Sequence, residues 1–323
     1  MSPPDQPWRR AAQRLSLGRA VYQLWHRPLG ALARSRREGG PIAQWETARG
    51  QQAMRRAAAS LPALPAPPAD APVVSFLTGR RFWHQTAYCF WSLCRHAGRP
   101  LRAALYDDGT FDDALQTECR RLFPGVRIAS AAEIEAQLDA HLPEARYPTL
   151  RRRRAVYPNL RKLTDVHAGA RSWQLVLDSD MLFFRRPDAL LEWLAEPKRP
   201  LHMADIQDAY GYSPGLLTSL AGQPLPTRLN VGICGLHSED IDWDRLERWS
   251  RELEAAEGTS YYQEQALVAL MLAGHDAQCL PSRDYLLLPD EAECRRPTAA
   301  LHHYVDLSKR GYFRHAWRHV WSP

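Results

Sequence analysis

The sequence predicts an α/β protein: a mixed, mostly parallel sheet flanked by helices, with a helical extension ahead of it. Three observations lead there. From residue 73 onward short apolar runs alternate with stretches of helical period, and the order strand, helix, strand, helix implies parallel strands joined by right-handed crossovers. One run, Leu175 to Leu177, is too short for a helix, reads as a buried strand, and stops at Asp178-Ser179-Asp180. Ahead of these elements, residues 61–72 read Leu-Pro-Ala-Leu-Pro-Ala-Pro-Pro-Ala-Asp-Ala-Pro, a stretch that cannot be helix and reads as a stiff linker.

The expected organisation is a basic helical extension over 1–60, the linker over 61–72, and one large domain over 73–323. With 323 residues, 45% hydrophobic and 24% charged, the chain can bury a full core. No apolar run approaches the ~20 residues that span a bilayer, and the N-terminus has no signal-peptide core. The expectation is a cytoplasmic protein, or one held peripherally on the inner face of a membrane. Cys89, Cys94, Cys119, Cys234, Cys279 and Cys294 form no Cys-x-x-Cys pair and read as buried free thiols rather than as disulfides or zinc ligands. The net charge of +6 is uneven: residues 1–60 hold eleven arginines against Asp5, Glu38 and Glu46, a net +8, so the remainder carries −2. No nucleic-acid partner is expected.

Residues from Trp8 to about Arg37 have helical period, ended or kinked at Pro28, and a second helical stretch runs through Trp45, Met54 and Ala59. A basic amphipathic segment of this kind could lie on an anionic membrane; packing on the main domain with its arginines solvated is the simpler reading. Val73 to Thr78 is a strand ending at Gly79, Phe82 to His96 a helix, Leu101 to Tyr106 a strand closing on Asp107-Asp108, and Phe111 to Leu122 a helix. Thr78, Gly79 and Asp107 or Asp108 therefore gather on the rim that also holds Asp178 and Asp180. An acid there can accept from a ribose hydroxyl or a base N–H, or can cap the turn that follows.

Glu133 to His141 reads as a short helix and Arg151 to Arg154 as a solvated run of four arginines. Tyr157 to Asp165 is a helix from which Lys162 could reach a diphosphate. Pro187 opens a helix through Trp193, and Leu201 to Ala204 is a strand ending in Asp205. Asp208 to Pro226, rich in Gly, Tyr, Ser and Pro, is long enough to be an active-site flap. Leu229 to Leu236 is a strand in which Asn230 must find a hydrogen-bond partner. Asp242 to Leu253 and Tyr262 to Leu272 are helices. The final segment ends in a helix whose Phe313, Trp317, Val320 and Trp321 form a packed stripe.

Alternate side chains on an extended backbone point the same way, so Asp178 and Asp180 present two carboxylates to one spot. Oxygen ligands of this kind suit Mg²⁺ or Mn²⁺.

These blocks resemble the GT-A fold glycosyltransferases, in particular the family 8-like, retaining nucleotide-sugar transferases. Asp178-Ser179-Asp180 is similar to their DxD metal motif. Leu229-Asn230-Val231-Gly232 is similar to a Phe-Asn-x-Gly block beside the donor sugar, and Glu264-Gln265-Ala266 falls where the family has an acid-Gln pair next to the reacting carbon. His303-Tyr304-x-x-x-x-Lys309 reproduces the spacing of a His-aromatic-x-Gly-x-x-Lys block. The resemblance covers about residues 73–312. It implies His303 as third metal ligand, Lys309 on the diphosphate, Asp205 on sugar hydroxyls, Asn230 and Gly232 in donor binding, and Glu264 and Gln265 as catalytic candidates. The donor implied is a UDP-sugar and the acceptor a glycan, lipid or protein. The sequence departs from the pattern at Asp306, which replaces the motif glycine and is expected to crowd or repel the diphosphate, and at Ala266, where an Asp is usual. Two other readings compete. An inactive GT-A domain could serve as a binding or scaffold module, and a haloacid dehalogenase-like phosphatase would need a downstream acidic pair that is not found.

Overall fold

The structure is a computed structural model and describes residues 39–321. The helix expected between Trp8 and Arg37 lies outside the described residues. The chain runs through helix α1 (Gly40–Ala58), strand β1 (Val73–Thr78), α2 (Trp83–Ala97), β2 (Arg102–Asp107), α3 (Asp113–Leu122), β3 (Arg127–Ala129) and α4 (Ala131–His141). It continues with α5 (Pro148–Val156), α6 (Arg161–His167), β4 (Trp173–Leu177), β5 (Met181–Phe183), α7 (Asp188–Ala195), β6 (Leu201–Ala204), α8 (Pro214–Ala221) and β7 (Leu229–His237). Last come α9 (Trp243–Glu257), α10 (Gln263–Met271), β8 (Gln278–Cys279), β9 (Tyr285–Leu287), α11 (Glu291–Arg295), β10 (Leu301–His303) and a run of short helical turns from Lys309 to Val320.

The main sheet has seven strands in the order β3-β2-β1-β4-β7-β6-β8. Only β7 runs against its neighbours, pairing antiparallel with β4 and β6, so the sheet is mixed and mostly parallel as expected. Alternation along each strand splits the core. Val74, Phe76, Leu105, Leu175 and Leu177 face α2 and the C-terminal turns, while Ala104, Tyr106, Val176 and Val231 face the layer of α4, α6, α9 and α10. Local chemistry sets the helix starts. Asp112 accepts from the Leu115 N–H at the head of α3, and Ser130 and Glu133 form a capping box on α4.

Several features were not apparent in the sequence. A second sheet, ordered β5-β10-β9, follows the two aspartates. Strands β3, β8 and β9 were not anticipated, because runs of two or three residues carry no readable period. The arginine run is not solvated throughout. It forms α5, whose Arg154 makes a two-point pair with Asp165 and whose Arg153 bonds Gln263 and Glu254, all well inside the protein. Residues 208–226, expected as a flap, contain α8 and bury Tyr210, Tyr212 and Leu217. Cys279 is exposed, unlike the other five cysteines, which are buried or half-buried.

Helix α1 and the proline-rich stretch share the core of the main body. Met54, Ala57, Ala58 and Leu61 belong to the same cluster as Phe76 and Trp317. A side chain at Gly50 would run into the Phe313 carbonyl. Trp91 Nε1 donates to the Pro62 carbonyl at 2.9 Å, and Leu64 N to that of Leu122 at 2.9 Å. The expected helix and packed stripe at the C-terminus are present as broken turns, with Phe313 and Trp317 buried. No described helix is long and apolar enough to cross a membrane.

Candidate active site

The site forms where β1, β4 and β7 meet the second sheet. Strand β4 ends at Leu177, and the Asp178 N–H donates to the Gly232 carbonyl of β7 at 2.7 Å. The middle residue of the motif anchors it: Ser179 Oγ lies 2.8 Å from Thr86 Oγ1, which lies 2.6 Å from Thr78 Oγ1. Strand β5 then pairs antiparallel with β10, setting Met181 opposite His303, and the Tyr304 N–H donates to the Asp180 carbonyl at 2.9 Å. That ladder brings His303 to the aspartates.

Asp178, Asp180 and His303 each offer one ligand atom, all within 4.8 Å of one another. His303 Nε2 is 3.4 Å from Asp180 Oδ1 and 3.6 Å from Asp178 Oδ2. The ring is 2% exposed, Nε2 faces only the two carboxylates at long range, and Nδ1 has no hydrogen-bond partner. A buried imidazole left in that condition is costly unless something else binds it. Two carboxylates and this imidazole fit a divalent cation that accepts oxygen and nitrogen donors.

Two lysines flank the triad. Lys162 Nζ lies 2.7 Å from Asp178 Oδ1 and 3.2 Å from Glu264 Oε2. Burial opposes its charge, but the two carboxylates outweigh burial and hold its pKa above the usual lysine value. Lys309 Nζ lies 3.0 Å from Asp180 Oδ2. Burial works to raise the Asp180 pKa, and His303 and Lys309 more than reverse it, holding the carboxyl well below the usual range. Glu264 is the opposite case: burial pushes it up to about 7 against the pull of Lys162.

A cleft of about 520 Å³ opens beside the triad, lined by Lys162, Asp178, Gly232, Glu264, His303 and Asp306 among others. Asp205, Asn230 and Gln265 line it as one bonded group. Asn230 Nδ2 donates to Asp205 Oδ2 at 2.9 Å and its Oδ1 accepts from the Gly232 N–H at 2.9 Å, which answers where its hydrogen bonds go. Gln265 Nε2 donates to the Ala209 carbonyl at 2.8 Å and to Asp205 at 3.4 Å.

Thr78, Gly79, Asp107 and Asp108 sit on the same rim but do not line the cleft. Asp107 Oδ1 accepts the N–H groups of Gly109, Thr110 and Phe111, so it caps its own turn. Asp108 Oδ1 accepts from Thr110, and a side chain at Gly79 would collide with that carboxylate. Asp306 lines the cleft. Its φ of 44° is the left-handed conformation glycine adopts freely and Asp tolerates better than most residues, and its side chain is exposed. The sequence reading missed Asn159, Ile206, Tyr261 and Tyr262, which also line the cleft. The one available signal was the aromatic pair immediately ahead of Gln263-Glu264-Gln265.

No family model matches the chain, and no curated protein does. Among solved structures it is similar to the galactosyltransferase LgtC in complex with donor and acceptor sugar analogues, at 15% identity and a TM-score of 0.49 over 72% of this chain and 87% of that one. The apo structure of WbbM, a bifunctional glycosyltransferase, aligns at 14% identity and a TM-score of 0.48 over 76% of this chain and 47% of that one. Apo mouse xyloside xylosyltransferase 1 aligns at 11% identity and a TM-score of 0.48 over 72% and 97%. All three are glycosyltransferases by name.

Proposed function

We propose that this chain is a metal-dependent glycosyltransferase that moves a sugar from a nucleoside-diphosphate sugar, with UDP as the carrier, to a saccharide, lipid or protein acceptor. Retention of configuration is the outcome implied by the resemblance to the family 8-like enzymes. The observation that carries the proposal is the meeting of Asp178, Asp180 and a buried His303 beside a cleft whose wall is the Asp205, Asn230 and Gln265 group.

Asp178, Asp180 and His303 would hold Mn²⁺ or Mg²⁺, which supplies positive charge against the diphosphate. Lys309, about 40% exposed along its side chain, can turn from Asp180 toward a leaving phosphate and add a second positive charge. Lys162 does different work. Its ammonium joins Asp178 to Glu264 and so fixes the spacing between the metal ligands and the sugar-side wall. Cleavage of a glycosyl bond passes through an oxocarbenium-like state. With Gln265 Nε2 committed to Ala209 and Asp205, its carbonyl oxygen is the part of the amide left to face developing positive charge. Asp205 and Asn230 would take sugar hydroxyls.

A peripheral membrane contact is also supported, by the exposed face of α1, where Ile42 and Trp45 precede Arg49, Arg55 and Arg56.

The decisive experiment is a panel of nucleotide sugars assayed for hydrolysis with Mn²⁺, with Mg²⁺ and with EDTA. Donor turnover that needs the cation and is lost in Asp180→Asn is expected. A chain that turns over no nucleotide sugar under any of these conditions is not a transferase of this kind.

A further inference from the structure

A second cavity, about 720 Å³ and so larger than the catalytic cleft, opens at the other edge of the main sheet. Val73, Arg102, Arg127 and Trp173, at or beside the first residues of β1, β2, β3 and β4, all line it, and residues 69–72 of the proline-rich stretch lie against it. The metal triad lies past the opposite ends of these strands. From Trp173 to Asp178 the chain advances five residues, which at about 3.3 Å per residue separates the two sites by roughly 16 Å.

Its polar wall is cationic. Arg102 makes no side-chain hydrogen bond or ion pair among the described residues, and its Nε is buried without a partner. Arg127 is exposed, its guanidinium 6.0 Å from the centre of the Tyr106 ring, and it forms no ion pair among the described residues. Asp70, exposed, is the single acid among the described lining residues. This differs from the arginines of α5, whose guanidinium groups meet acids at Arg151, Arg152, Arg153 and Arg154. The apolar wall is Trp173, half-buried and edge-on to Trp193 with ring centres 5.6 Å apart.

The Arg102 guanidinium, partly withdrawn from water without an acceptor, is unfavourable until an anion meets it, and the planar forks of Arg102 and the exposed Arg127 match a carboxylate or a phosphate. An indole beside it offers a flat apolar surface of the kind a sugar ring can lie against. We propose that this cavity is a second saccharide site, which takes a sugar bearing a carboxylate or phosphate group, the anion on Arg102 and Arg127 and the ring against Trp173. Its distance from the triad makes it a separate binding site, and it stands whether or not the cleft transfers glycosyl groups.

The test uses the full chain and ligand-observed NMR titrations with glucuronic acid, glucose 1-phosphate, glucose and inorganic phosphate. Both acidic sugars should bind saturably, with glucose and phosphate weaker by about tenfold or more. Arg102→Gln and Arg127→Gln should each weaken the acidic sugars by about tenfold while the melting temperature stays unchanged. Asp180→Asn, which alters the catalytic cleft alone, should leave this binding as in wild type. Preference for glucuronic acid over glucose 1-phosphate, or the reverse, identifies which anion the pair of arginines accepts. Equal binding of glucose and the acidic sugars, equal binding of phosphate and glucose 1-phosphate, no binding of either acidic sugar, or indifference to both arginine substitutions would overturn the proposal.

Discussion

Gly232 and His303 are in contact across the candidate active site: a Cβ at position 232 would come within 2.6 Å of His303 Nδ1 and 2.8 Å of Met181 Cε. The imidazole reaches the two aspartates because β7 presents a bare backbone there. Gly232→Ala is therefore expected to displace the ring without removing any ligand. Mn²⁺ affinity should fall about 10- to 100-fold, as for other changes that misplace a metal ligand, while the thermal transition of metal-free protein moves little. Calorimetric Mn²⁺ titration checks it, and wild-type affinity would show that His303 is not a ligand.

Lys309→Ala separates charge stabilisation from donor binding. Lys309 is held charged by Asp180, with a pKa above the usual lysine value although burial opposes it. If its ammonium meets the departing diphosphate, the contact strengthens as the bond breaks. Removing it should lower kcat for donor hydrolysis on the order of 10²-fold and donor affinity much less. Steady-state kinetics on the hydrolysed donor decide, and turnover like wild type removes Lys309 from the mechanism.

Glu264→Gln should change how stability depends on pH in metal-free protein. Burial raises the Glu264 carboxyl from 4.5 to about 7, so between these values the folded chain binds more protons than the unfolded one. Stability contributed by this proton is complete below about 4.5 and is lost as pH rises through about 7. Urea unfolding of both proteins in EDTA across this range should give a stability difference that shrinks as pH rises. A difference independent of pH contradicts the assignment.

Chain truncation tests where the domain begins. A chain starting at Ala71 loses Met54 and Leu61, both fully buried, together with the contact of Gly50 against Phe313. Emptying one such apolar site typically costs about 2–5 kcal/mol, so loss of both exceeds much of the usual stability of a domain. A chain starting at residue 39 should stay soluble and melt cooperatively, and one starting at Ala71 should not. Equal melting of the two would return residues 39–70 to the status of an appendage.

What was legible in the sequence is what local pattern encodes. The strand at 173–177, its neighbours at 73–78 and 229–237, and the helices between them follow from runs and periods within a dozen residues. The pairing of Asp178 with Asp180 follows from strand alternation. His303 and Lys309 were reached through family resemblance, because an imidazole and an ammonium in isolation carry no such signal. Arg153 and Arg154 of α5 are buried and Arg151 half-buried against acids although Arg152 is solvated, because charge identity is local but whether a charge is solvated depends on which acids the fold brings to it.

The sequence alone determined an α/β chain with two aspartates at the end of a buried strand. The tertiary structure decided the rest of the site. His303 joins Asp180 through the β5–β10 ladder, and Lys162 ties Asp178 to Glu264 across three separate elements. It also decided that α1 and the proline-rich stretch belong to the core, by packing Met54 and Leu61 into the cluster that holds Phe76 and Trp317. Periodicity reports which face of an element avoids water, since that depends on neighbours a turn or a pleat away. Which distant faces and charges then meet depends on register and packing between segments more than a hundred residues apart, and no local pattern carries that information.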